Sequence, residues 1–125
     1  MKLFTVEEAN ALLPVARRIV ERIRDAHREV ARYGEEARRA ARAAQTGGGG
    51  MGGGADYVHA VLRLAAQTEE LTQLGIQLKD HERGLIDFPS LRGDRVVLLC
   101  WQLGEGDRIE WWHDLEAGFA GRRRL

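Results

Sequence analysis

The chain is poor in cysteine, lysine, net charge and long apolar runs. One cysteine, Cys100, stands in 125 residues. A lone thiol excludes an intrachain disulfide and a four-cysteine zinc site. Nineteen basic residues balance 19 acidic ones, for a formal net charge of zero. A nucleic-acid binder normally carries a clear basic excess, so nucleic acid is not an expected partner. The imbalance along the chain is mild: residues 1–45 hold ten basic and seven acidic side chains, net +3, and the remainder is net −3. Only Lys2 and Lys79 are lysines, and the other 17 basic residues are arginines. That bias suits planar, bidentate pairing, but it equally reflects the base composition of a genome. The longest apolar run, Val96 to Trp101, is far too short to span a bilayer. The opening MKLFTVEEAN lacks the apolar core of a secretory signal. The expected location is the cytoplasm, with no membrane partner.

What is present reads as one domain, 1–125, by length. Thr5 with Glu8 forms a capping box, and Glu7 and Glu8 complement the positive end of a helix dipole. Apolar positions follow at Val6, Ala9, Leu13, Ala16, Val20 and Ile23, then His27 and Val30, at alternating spacings of three and four. This is a heptad seam, widened by Leu12 and Ile19. Pro14 inside it is expected to kink the helix near Asn10. The helix is expected over 5–46, with surface pairs such as Glu35–Arg38. The glycine-rich stretch 47–54 matches a phosphate-binding fingerprint only by repetition and follows a helix rather than a strand, so it reads as a flexible linker. A second helix is expected over 56–73, capped by Asp56, with a seam of Tyr57, Val61, Leu64, Thr68 and Leu71.

Lengths constrain the packing. A helix of some 40 residues is about 60 Å long, whereas a compact domain of this size has a radius of gyration of only about 14 Å. The second helix is half as long and can cover only the distal half of the first. The proximal half needs another partner, either the C-terminal third or a second chain. A homodimer is expected.

The C-terminal third reads as strands. Residues 75–80 alternate, 85–88 form a short strand ended by Pro89, and Arg92-Gly93-Asp94 turns. Residues 95–103, apolar on both faces until Gln102, are expected at the centre of the sheet. Gly104-Glu105-Gly106-Asp107 turns again, 108–111 is a candidate strand and 112–118 a helical turn or two. Short connections predict antiparallel pairing. The fold class is α+β: a long antiparallel helical hairpin packed with a small antiparallel sheet and a short C-terminal helix.

Candidate chemistry crowds into the same third. A helical 110–116 would place Glu110, His113 and Glu116 on one face. A second Glu-x-x-His pair, needed for a two-metal carboxylate site, is missing. A single divalent metal ion held by His113, Asp87 and Glu105 remains open, with Asp80 nearby. So does a structural histidine held by one carboxylate beside Trp112. Asp87 lies in an apolar Leu-Ile-Asp-Phe and needs a cation or donors, which Lys79 can supply. Cys100, between Leu99 and Trp101, is either a small core residue or a thiolate paired with His113. His27 in the seam reads as a register-setting residue.

The motifs KLFTVEEANALLP, LGIQLKD, GLIDFP, LCWQLGE and WWHDLEAGFAGR, spread over nearly the whole chain, resemble the bacterial family called domain of unknown function 2203. The family pattern falls on Lys79, Asp80, Gly84, Asp87, Phe88, Cys100, Trp101, Gly104, Glu105, Trp112, His113, Gly118, Phe119 and Arg122. The resemblance implies that these residues make a shared site or a shared core, and it carries no activity. The leading expectation is a small binding module that holds a metal ion or small polar ligand. Lys79, Asp80, Asp87, Glu105, His113 and Arg122 would line its site, with Trp101 and Trp112 as walls. The alternatives are a scaffold working through its helical hairpin, and an enzyme using His113 or Cys100.

Overall fold

A computed structural model of the chain describes residues 1–45, 47 and 54–125. The expected glycine linker, apart from Gly47 and Gly54, lies outside the described residues. Helix α1 spans Val6–Gln45. Its capping box forms as the sequence predicts: the Thr5 amide donates to Glu8 Oε1 at 2.9 Å and the Glu8 amide to Thr5 Oγ1 at 3.0 Å. Pro14 lies on the exposed side, and the helix runs through it without a break. Helix α2 spans Gly54–Gln73, so Asp56 sits in its first turn rather than at its cap. The side chain of α2 that is buried near its start is Ala60, not Val61, which is exposed. An arginine–glutamate pair, Arg63 with Glu29, ties α2 to α1. Among the described residues no helix is long and apolar enough to cross a membrane.

Among the described residues, five strands make one antiparallel meander in the order β1-β2-β3-β4-β5: Gln77–Asp80, Leu85–Arg92, Arg95–Gln102, Trp111–Asp114 and Arg123–Arg124. With the two helices this is the expected α+β class. β3, the most apolar strand, is central. β2 and β3 are joined at Gly93-Asp94, with Arg92 opposite Arg95. Gly93 has φ 67°, which a two-residue hairpin requires at its first central position.

Two strands depart from the sequence reading. β2 continues through Pro89 because the Pro89 carbonyl faces the N-terminal segment and accepts from the Phe4 amide at 2.7 Å. β1 has ended by then, so the missing proline N–H breaks no ladder. Residues 111–114 are strand β4, not a helical turn. Alternation sends Trp112 to one face and Trp111 and His113 to the other, and pairing with β3 satisfies the backbone. Glu110, His113 and Glu116 therefore share no helical face. The C-terminal helix is a 3-10 turn, Phe119–Gly121.

The inner face of the sheet carries Ile86, Phe88, Val97, Leu99, Trp101 and Trp112. These form one cluster with Ala9, Leu13, Ala16, Ile19, Val20 and Ile23 of α1. The proximal half of α1 thus packs on the C-terminal third of its own chain. Burying a side chain of the Leu, Ile or Phe kind contributes about 1.5–3 kcal/mol, so this layer dominates the stability. Gly84, at φ 60°, lets the β1–β2 turn press on it: a Cβ there would lie 2.5 Å from Leu103 and 2.7 Å from Val20.

Candidate functional site

The outer face of the sheet, turned away from α1, is polar where it is most buried. Strand register puts Asp87 directly opposite Cys100, and Cys100 opposite Trp111. His113 lies opposite Leu98, two residues along β3 from Cys100 on the same face. The exposures of Asp87, Cys100 and His113 are 1%, 1% and 2%. Their ligand atoms all lie within 4.8 Å of one another.

Each member is held in place. His113 Nδ1 lies 2.8 Å from the Asp114 carbonyl oxygen, an acceptor only, so Nδ1 carries a proton and donates. Nε2 is then directed at Asp87, 3.2 Å from each carboxylate oxygen. Lys79 belongs to an irregular step in β1, where the register shifts between Leu78 and Asp80. Such a bulge re-aims a side chain, and Lys79 Nζ lies 3.9 Å from Asp87 Oδ2. The Lys79–Asp87 pairing expected from sequence is present, although His113 is the closer partner.

A second layer adjoins Cys100. Arg122 makes two parallel hydrogen bonds to Glu105, 2.9 Å from Nη1 and 2.8 Å from Nη2, the bidentate geometry that favours arginine. Glu105 also accepts from the Gln102 amide at 2.9 Å, which fixes the turn. Arg122 Nη1 lies 3.8 Å from Cys100 Sγ. The guanidinium stacks over Phe119 at 4.1 Å and over Trp111 at 4.8 Å, and Arg83 also lies over Phe119, at 4.0 Å. Burial opposes the charge on Arg122, but its hydrogen bonds to Glu105 and Cys100 outweigh that and hold its pKa above the ordinary value. Burial, and then the Asp87 carboxylate, push the Cys100 thiol up to about 12, against the downward pull of the Arg122 hydrogen bond. A thiol so placed is protonated at neutral pH and is not a poised nucleophile.

The structure brings together Lys79, Asp87, Glu105, His113 and Arg122 as the sequence reading expected, in two adjoining groups. Glu105 belongs to the Arg122 group, and the side chain that joins Asp87 and His113 within 4.8 Å is Cys100. Asp80 serves the β1–β2 turn, accepting from the Arg83 amide at 2.9 Å. Trp101 and Trp112 are on the inner face, so they do not wall the site. Trp101 donates from Nε1 to the Gly106 carbonyl at 3.0 Å, and Trp112 lies under Arg92 at 4.4 Å. The aromatic residues on the outer side are Trp111 and Phe119. The period-two alternation of a strand signals this exchange, and a helical reading of 112–118 conceals it.

A hollow of about 310 Å³ lined by Lys2, Phe4, Glu8, Ala11 and Leu12, and one of about 180 Å³ between the helices, both lie away from the triad. The triad itself is buried, at 1–2% exposure.

No curated protein and no solved structure matches the chain. A family model described as an uncharacterized conserved protein, DUF2203, matches residues 2–125, so the chain belongs to that family.

Proposed function

We propose that the protein is a small binding module that holds a divalent metal ion on the outer face of its sheet. One observation carries this reading: a carboxylate, a thiol and an imidazole from three adjacent strands converge within 4.8 Å at full burial. Burying such groups is costly unless they are mutually satisfied. The backbone bond at His113 Nδ1 is the outer-shell contact that typically orients a metal-ligating imidazole. The buried setting favours an ion over a small polar molecule. Elemental analysis of protein purified without an affinity tag is expected to find about one metal ion per chain. His113→Ala should lose it, as should the bulkier His113→Gln, with circular dichroism reporting the fold. Metal-free wild-type protein that takes up no ion at neutral pH would overturn the reading.

A second reading, a scaffold working as a homodimer, is favoured by a different feature. Val58, Val61 and Leu62 of α2 are 52%, 39% and 60% exposed and lie on one helical face. Val20 and Ile23, by contrast, are buried in the chain's own core. Sedimentation of Val61→Asp with Leu62→Asp tests this: a dimer that becomes a monomer supports it, and a wild-type monomer sinks it.

A further inference from the structure

We infer that the ion is a borderline-soft transition-metal dication of the zinc, cobalt or nickel kind, that Cys100 Sγ is its thiolate ligand, and that Arg122 positions that thiolate. The inference rests on the metal-binding reading above and goes further by naming the class of ion and the ligand that selects it.

The donor set makes the first argument. One imidazole nitrogen, one carboxylate and one sulfur match a borderline-soft ion. Magnesium and calcium require six or more oxygen ligands, and only Asp87 offers oxygen among the three. Bonds of about 2.0–2.3 Å in a tetrahedral site put ligand atoms about 3.4–3.6 Å apart. The His113–Asp87 separation of 3.2 Å is already close to that, and the widest separation in the triad, at most 4.8 Å, needs to close by roughly an ångström. Three protein ligands leave a fourth position open.

Charge makes the second argument. Lys79 lies 3.9 Å from Asp87, and Arg122, its charge balanced by Glu105, lies 3.8 Å from Cys100. With Asp87 as the sole anionic ligand, a dication would leave a positive centre beside Lys79. With a thiolate as well, the centre is neutral. A second anionic ligand removes that buried positive charge beside Lys79, and Cys100 is the group placed to become one. The step balances simply: the thiol S–H bond breaks, an S–metal bond forms and the proton leaves to solvent.

Arg122 makes the third argument. Glu105 holds its guanidinium on two hydrogen bonds and satisfies its charge, while Nη1 remains directed at Sγ. An N–H donor to a ligating sulfur stabilises its negative charge, which is the usual task of an outer-shell partner.

The test is cobalt(II) titration of chelator-stripped full-length protein at neutral pH, read by absorption. Expected are one equivalent bound, visible bands of tetrahedral intensity and a sulfur-to-cobalt charge-transfer band in the near ultraviolet, with no response to magnesium or calcium. Cys100→Ser should lose the charge-transfer band. Cys100→Ala supplies the same readout if the serine variant fails to fold. Arg122→Gln should shift that band and weaken binding by about 10- to 100-fold, and Arg122→Lys should restore part of both. An octahedral spectrum without the sulfur band, or a band unchanged in Cys100→Ser, overturns the inference while leaving metal binding in place. A band unmoved in Arg122→Gln removes the role given to Arg122. Protein that binds no ion at all fails the earlier reading as well.

Discussion

The two faces of the sheet are built on opposite principles. The inner face joins Ile86, Phe88, Val97, Leu99, Trp101 and Trp112 to the apolar side of α1. Any residue of the right size and polarity would serve there at modest cost. The outer face is equally closed at its centre but buries Asp87, Cys100 and His113. These groups are stable only because each satisfies another, and removing one leaves its partner orphaned. The inner face therefore accounts for stability, and the outer face is an arrangement that stability alone would not select.

Substitutions can break that contrast. Trp101→Ala empties the largest site of the inner face and is expected to cost about 3–5 kcal/mol in denaturant unfolding. It should leave metal stoichiometry unchanged. In metal-free protein Asp87→Ala, which strands His113, should cost about 3 kcal/mol. Replacing Asp87 and His113 together by leucine should recover much of that loss, because no buried charge is then left unpaired and the half-exposed Lys79 turns to solvent. If the double change costs the sum of the single ones, the outer face is ordinary packing and the contrast falls.

A smaller effect appears at alkaline pH. Folding raises the Cys100 thiol from 9.0 to about 12, so the folded protein keeps a proton that the unfolded chain loses. That contribution is whole below pH 9 and is lost as pH rises toward 12. In metal-free protein the difference in unfolding midpoint between wild type and Cys100→Ala, followed across that range, should shrink accordingly. Smaller still, Thr5→Ala should cost about 1 kcal/mol through the lost helix cap. Arg38→Ala, which breaks an exposed pair with Glu35, should cost under about 0.5 kcal/mol. Neither should touch the proposed metal site.

Part of the outer face was legible before folding. The Arg92-Gly93-Asp94 turn places Arg92 opposite Arg95, so partner numbers in β2 and β3 sum to 187. Since 87 and 100 also sum to 187, Asp87 must face Cys100. A two-residue hairpin leaves no freedom in register. No such arithmetic reaches His113. The segment 103–110 between β3 and β4 is long enough to allow several registers, and the sequence Trp-Trp-His-Asp reads as readily as a helical turn. The same ambiguity put Trp112 beside the polar residues, whereas Trp101, the strand neighbour of Cys100, goes to the inner face by simple alternation. The register shift at Lys79 was likewise hidden, although its pairing with Asp87 was expected from the need of a buried carboxylate for a cation.

By itself, the sequence determined the elements that depend on near neighbours. These are the capped heptad helix, the second helix, the hairpin at Gly93, the centrality of the apolar strand and the antiparallel sheet. Each follows from periodicity, caps and turn chemistry acting over a few residues. Tertiary structure alone decided which side chains meet across three strands and which face of the sheet they occupy. That depends on the register of β4 against β3, which burial of Trp112 beneath α1 and pairing of the backbone select together. The Asp87–Cys100–His113 cluster exists because that long-range choice puts His113 on the outer face.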